Sequence, residues 1–325
     1  MSTNRTSARG WRKVAAAMLV SGLALTAVAC GSDTGEAGNS DNSITIKHQK
    51  GETTIEGTPT RIVAIGNQWI DATLSLGVTP VGYVDNIAVV GGGKSAPWEP
   101  AALQDGESLK PTAELVEQIA ALNPDLILAS GFAVDQAKYD QLSKLAPTIS
   151  DIGSAQVDPW GDQVSTLGRV LNKEAEAEKV IADVNGQIDA VAKKYPGLQG
   201  KTFLTCFLAG ATQLMVLADP KDGSSEMFIK LGMSVPPKLA EESSKGGRLA
   251  LSPERFGDLT SDLLVATGQE EPYKKLPAYA TLPSVEKGSI IFLDIVDISG
   301  LNQPTPLSLP YLLKKLEPAL ANAAK

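Results

Sequence analysis

Val116–Gly131 reads VEQIAALNPDLILASG, and 137 residues later Pro253–Gly268 reads PERFGDLTSDLLVATG. Aligned without gaps, the two stretches share six residues. Glu117 faces Glu254, Leu122 faces Leu259, Asp125 faces Asp262, Leu126 faces Leu263, Ala129 faces Ala266 and Gly131 faces Gly268. In each, a helical pattern stops at a turn and a short apolar run follows, which reads as a helix feeding a buried strand. One chain that builds this unit twice predicts two similar lobes.

Working outward from the first copy, strands and helices alternate. RIVAI at Arg61 is a short buried strand, WIDATLSLG a helix ended by Gly77, and PVGYV the next strand. DLILAS is a strand, DQAKYDQLSKLA a helix, and TIS an edge strand. Around the second copy, KTFLTCFL, DLLVAT and SIIFLD are strands. SEMFIKLGM is a helix that aligns with IDATLSLGV, and PLSLPYLLKKLEPALANA closes the chain as a helix. This alternation predicts an α/β fold with doubly wound sheets. Ahead of it, ITIKHQKGETTIEG alternates and turns at Gln49-Lys50-Gly51, as a hairpin does.

Between the copies, Asp158–Tyr195 is one periodic segment. Val164, Leu167, Leu171, Val180, Val184, Ile188 and Val191 fall at helical spacing, Asp158 and Pro159 suit its start, and Pro196-Gly197 stops it. At 1.5 Å per residue such a helix would run roughly 55 Å, too long for either lobe. The expected architecture is α/β, two doubly wound lobes bridged by one long α-helix. The expected boundaries are 44–157 for the first lobe, 158–196 for the bridging helix and 197–325 for the second lobe.

The N-terminus reads as a targeting segment. Arg9, Arg12 and Lys13 precede the apolar run Val14–Ala29, which ends in small residues before Cys30. The run has the length of a signal h-region and is short for a membrane span. AVAC resembles a bacterial lipobox, which implies cleavage before Cys30 and lipidation of its sulfur. Residues 1–29 are then a signal peptide. Residues 30–43, polar and rich in Gly, Ser, Asp and Asn, are a flexible tether with a reach of roughly 20 Å. Without the leader the chain keeps 25 basic and 37 acidic residues, a net charge of −12. That balance argues against nucleic acid and against a basic membrane-binding face. The remaining cysteine, Cys206, reads as a buried strand thiol.

Two α/β lobes on a helical bridge, behind a lipoprotein-like leader, resemble the helical-backbone class of ABC-transporter substrate-binding proteins. The most specific pieces are GTPTRIVAIGNQWIDATLSLGVTPVGY and LVEQIAALNPDLILAS, close to the openings of the siderophore-type branch. The resemblance covers essentially the whole mature chain. It implies a monomeric receptor, lipid-anchored at the extracytoplasmic face, that hands a ferric siderophore to an ABC permease. It also implies that one surface acid on each lobe, Glu117 and Glu254 by motif position, docks the permease.

Other chemistry fits poorly. GGGKS, Gly91–Ser95, ends like a phosphate-binding loop, but Ala88 stands where the signature needs glycine and Ala96-Pro97 follows instead of a helix. The single histidine, His48, lies in the hairpin and reads as a surface strand residue. One such histidine supplies neither a nucleophile–base pair nor a zinc or manganese ligand set, so no catalytic residue and no direct metal ligand is assigned.

In open α/β sheets the ligand crevice lies beyond the carboxyl ends of the strands. In the first lobe this places Asn67, Gln68, Trp69, Tyr83, Asp85 and Phe132 at the cleft, with Trp98 overhanging from SAPWEP. In the second lobe it places Gln213 and Asn302 there, the latter in a loop DIVDISGLNQPTP, and Arg248 is expected to reach the cleft from the loop SKGGRLALSPE. Aromatic residues at such a rim would contact a ligand with an apolar skeleton. Only Arg248, of four arginines after the leader, is expected to reach the cleft. A highly anionic cargo calls for several arginine forks, so a hydroxamate or mixed-ligand siderophore is the first choice. No permanently bound cofactor is expected. Haem, with Tyr83 as axial ligand, and cobalamin are alternatives. A cell-envelope scaffold with no transported ligand is the alternative from another class.

Overall fold

The computed structural model describes residues 43–209, 213–243 and 248–325. The proposed leader, Cys30 and nearly all of the tether lie outside them. Strands β1 (Ser43–His48) and β2 (Gly51–Glu56) form the hairpin, paired antiparallel. Lobe 1 follows with β3 (Ile62–Ile65), α1 (Asn67–Ser75), β4 (Gly82–Val84), α2 (Asn86–Val90), β5 (Glu107–Ser108), α3 (Leu115–Ala121), β6 (Leu126–Ala129), α4 (Gln136–Leu142) and β7 (Thr148–Ile149). Its sheet order is β5-β4-β3-β6-β7, parallel throughout. Alternation along β3 explains why every residue there is apolar. Ile62 and Ala64 join the core that carries Trp69, while Val63 and Ile65 join the core under Ile119 and Leu142.

Helices α5 (Trp160–Val170) and α6 (Glu174–Lys194) lead into lobe 2. Lobe 2 contains β8 (Phe203–Ala209), β9 (Gln213–Leu217), α7 (Glu226–Lys230), α8 (Pro237–Ser243), β10 (Arg248–Leu251), β11 (Leu263–Thr267), α9 (Glu270–Lys274), α10 (Pro283–Glu286), β12 (Ile290–Leu293), α11 (Ile295–Asn302) and α12 (Ser308–Ala323). The order is β10-β9-β8-β11-β12, with β8, β11 and β12 parallel and β9 and β10 antiparallel to their neighbours. The lobes are therefore alike in plan and unlike in one half of the second sheet.

The long helix joining the lobes is α6, 21 residues or about 31 Å. It does not begin at Asp158 as the periodicity suggested. Asn172 takes φ 53°, and Lys173 N donates to Gly168 O at 2.7 Å, which ends α5 as a Schellman turn before the acid-rich start of α6. Asp158 does not cap either helix. Its carboxylate accepts from Ile152 N and Gly153 N and so fastens the approach to α5. Helix α5 packs on α1, and α6 packs on α7 and α12. At the bend Gly168 meets Ala177, where an added Cβ would lie 2.5 Å from the Ala177 Cβ.

The repeated aspartate is a structural pin. Asp125 accepts from Thr60 N, Thr60 Oγ1 and Arg61 N, tying the start of β3 to the start of β6. Asp262 accepts from Thr202 N and Thr202 Oγ1, tying the start of β8 to the start of β11. Each satisfies a backbone donor where the central strand of its sheet begins.

His48 corrects its surface reading. It is buried, its Nδ1 accepts from Lys50 N at 3.2 Å, and its Nε2 lies 2.9 Å from Thr53 Oγ1. Burial, and then the Lys50 charge, hold its pKa below the usual value. Cys206 is a buried thiol on β8, pushed up to about 12 by burial.

Candidate functional site

At the end of β3 the chain turns into α1 through Gly66, φ 100°, where an added Cβ would sit 2.8 Å from Ser130 Cβ. That close approach brings the ends of β3 and β6 together. Asn67 Nδ2 donates to Asp85 Oδ1 at 2.7 Å, and Asn67 Oδ1 accepts from Ile87 N. Asp85 in turn caps α2 by accepting from Ala88 N at 2.8 Å. Both side chains are buried and spend their polar groups on the strand ends themselves.

The structure separates the remaining expected residues into two groups. Gln68, Trp69 and Trp98 build the junction between lobes. Gln68 Nε2 donates to Asp158 O and Pro304 O. Trp69 is fully buried in the core and not at a rim, because α1 turns it down onto the sheet. Trp98 Nε1 donates to Asp71 Oδ2, and its ring sits against Tyr311 and on Gly300. Asp71 also accepts from Thr305 Oγ1 of lobe 2. Tyr83, Phe132, Arg248 and Asn302 line open cavities at strand ends, Tyr83 together with Asp85.

Three such cavities matter. Tyr83, Asp85, Val89, Ser108 and Lys110 line one of about 270 Å³ at the ends of β4 and β5. Phe132, Gly131, Ser150 and Asp151 line another of about 330 Å³ against the Gln49–Lys50 turn. In lobe 2, Thr205, Phe207, Met215, Arg248, Thr267 and Asn302 line a third of about 240 Å³. Gln213 is exposed at the start of β9. Asn302 does not sit in a loop: Asp294 caps a helix there by accepting from Asp297 N, and Asn302 ends it.

Residues unassigned from sequence complete the apolar surface. Val89 and Val90 on α2 are 58% and 54% exposed, and Phe207 and Ile295 are 40% and 41% exposed. Helices α2 and α11 meet across the lobes, with Gly91 set against Val296. The signal available was the outward pair in NIAVV and the apolar residue directly after SIIFLD.

Electrostatics distinguish the two sides. On lobe 1 burial pushes Asp71 up to about 7, against the opposing bonds from Thr305 and Trp98. Burial, then the charges of Asp85 and Asp71, push Glu99 up to about 8. Burial also raises Asp151 to about 6. On lobe 2 the buried group is cationic: burial lowers the Arg248 pKa while the Asp222 charge raises it. Among the described residues no group of three or more His, Cys, Asp or Glu side chains is placed to hold a metal ion. None of their helices is long and apolar enough to cross a membrane.

Two lobes with cavities at their strand ends define a solute-binding architecture. Residues 63–295 match the periplasmic binding protein family, and the chain belongs to it. It is 32% identical over 183 residues to the protein named "Probable siderophore-binding lipoprotein YfiY" of Bacillus subtilis, an alignment spanning 54% of this chain and 53% of that one. It is 27% identical to the Fe(3+)-citrate-binding protein YfmC of the same organism, across 86% of each chain. The fold also matches the Streptococcus pneumoniae TIGR4 protein PiaA, solved in complex with ferrichrome. That match has a TM-score of 0.72 at 24% identity and covers 86% of this chain and 98% of that one.

Proposed function

We propose that this chain is the cargo receptor of an ABC importer and captures a ferric siderophore, of hydroxamate or mixed-ligand type, between its lobes. The observation that carries the reading is the pairing of cavities. Strand-end pockets on both lobes present exposed apolar side chains, and one half-buried guanidinium, Arg248, lines the lobe 2 pocket. Such a surface suits a large ligand with an apolar skeleton and a few fixed polar atoms. Tyr83, Asp85, Phe132, Arg248 and Asn302 contact it, with Val89, Phe207 and Ile295 as apolar walls. Asn67, Gln68, Trp69 and Trp98 position these groups from behind.

The receptor works as a monomer, anchored at the extracytoplasmic face through Cys30, and performs no bond chemistry. Glu117 and Glu254 are both exposed, in the first turns of α3 and of the 3-10 segment Pro253–Leu259. They meet basic residues of the permease. The test is tryptophan quenching of the full chain in detergent with ferric hydroxamates, a ferric catecholate, ferric citrate, haemin and cyanocobalamin. Sub-micromolar binding of a ferric siderophore is the expected result. Tight binding of haemin or cyanocobalamin alone, or of nothing in the panel, would overturn the reading.

A further inference from the structure

Arg248 opens β10, and its side chain is only 20% exposed. One terminal nitrogen, Nη2, donates to Asn302 O at 3.2 Å. Its Nε is buried and has no hydrogen-bond partner among the described residues. A guanidinium held out of water needs a compensating charge. Asp222 supplies it from 3.8 Å, with a side chain only 1% exposed.

Asp222 is not among the residues lining the lobe 2 cavity. It stands behind Arg248, at the head of the turn Gly223–Ser225, where Oδ1 accepts from Ser224 N at 3.0 Å and from Ser224 Oγ. Its Oδ2 is buried without a partner among the described residues. The cavity therefore does not present a bare cation. It presents a guanidinium whose charge is already answered from the protein side.

We propose that Asp222 sets the charge class of the cargo, cancelling Arg248 from behind so that the lobe 2 cavity accepts a neutral ferric tris-hydroxamate in preference to a carboxylate-rich chelate. This rests on the proposed reading of the cleft as a chelate site. Three singly charged hydroxamates balance iron(III), and their oxygens need a donor such as the Arg248 guanidinium that lines the cavity. Ferric citrate brings surplus negative charge, which must compete with Asp222 for the same guanidinium.

The experiment measures dissociation constants of ferrichrome and ferric citrate for the full chain and for Asp222→Asn. Asparagine keeps an acceptor for Ser224 N, so the turn keeps its cap. The ratio of the two constants is the readout, because an inactive fraction scales both equally. The unaltered chain is expected to favour ferrichrome, and Asp222→Asn is expected to shift the ratio toward citrate on the order of tenfold. Adding Arg248→Gln should return the ratio to its starting value. An unchanged ratio in Asp222→Asn, a starting preference for citrate, or a citrate gain that survives Arg248→Gln would each overturn the proposal. Failure of the unaltered chain to bind either chelate would instead remove the cargo reading on which it stands.

Discussion

In lobe 1 the chain before β3 is pinned to β6 by Asp125, and in lobe 2 the chain before β8 is pinned to β11 by Asp262. At the opposite ends of the same strands the lobes part company. Strand β3 passes through Gly66 straight into α1, whereas β8 pairs with an antiparallel β9 that returns across the sheet. The repeated aspartates thus sit where backbone groups at the strand starts must be satisfied. The divergent residues gather at the strand ends, where each lobe builds a different wall. Lobe 1 offers the carboxyl of Asp151, its pKa raised by burial, and lobe 2 offers Arg248.

The sharpest break of this comparison is at the surface acids. Glu117→Lys combined with Glu254→Lys should reduce cellular uptake to background while cargo affinity stays within about twofold, since like charges set against a partner cost several kcal/mol. Uptake assays beside binding titrations check it, and lost affinity would mean that these acids belong to the cleft. Next come the pins. Asp125→Ala and Asp262→Ala should each destabilise by about 2–3 kcal/mol, because backbone donors lose their acceptor. Denaturant unfolding should find the two values within about 1 kcal/mol of each other if the pins are equivalent.

The lobe junction should respond to pH. Burial raises the folded-state pKa of Asp71 to about 7 from an ordinary 3.8, so the folded state holds this proton more tightly than the unfolded one. Its contribution is full below about pH 4 and is lost as pH rises through 7. Thermal melts of Asp71→Asn should therefore fall less between pH 5 and 8 than those of the unaltered chain, by several degrees. The smallest effect separates two aligned glycines. Gly77 and Gly232 both take positive φ, but only Gly232 is crowded, with an added Cβ 2.6 Å from Gln199 Oε1. Gly77→Ala should cost about 1 kcal/mol and Gly232→Ala about 2 kcal/mol.

Much of lobe 1 was legible because its strands are continuous apolar runs separated by helical periods and glycines. The lobe 2 departures were not. QLMVL and RLAL are too short to distinguish strand from helix by period, and their antiparallel pairing depends on partners distant in sequence. The break at Asn172 was hidden because apolar spacing continues across it, although an asparagine before an acid-rich turn was the available sign. For the site, the strand-end rule placed Tyr83 and Phe132 at cavities, and Arg248, read as a loop residue, lines one from the start of β10. It misjudged Trp69, since the first turn of a helix can point either to the cleft or to the sheet. It missed Val89, Val90, Phe207 and Ile295, whose exposure follows from tertiary packing. Asp222 carried no local sign at all, because its relation to Arg248 spans a residue separation that no short motif encodes.

One carbon atom is missing at Gly168, where α5 bends into α6. Because α5 lies on lobe 1 and α6 on lobe 2, the angle at that bend is also the angle between the jaws. A side chain there would act as a wedge against Ala177. About 31 Å of helix beyond it converts each degree of opening into roughly half an ångström at the far end. The spacing of the two lobes is therefore set in part by a position in the spine where even a methyl group would have to be accommodated.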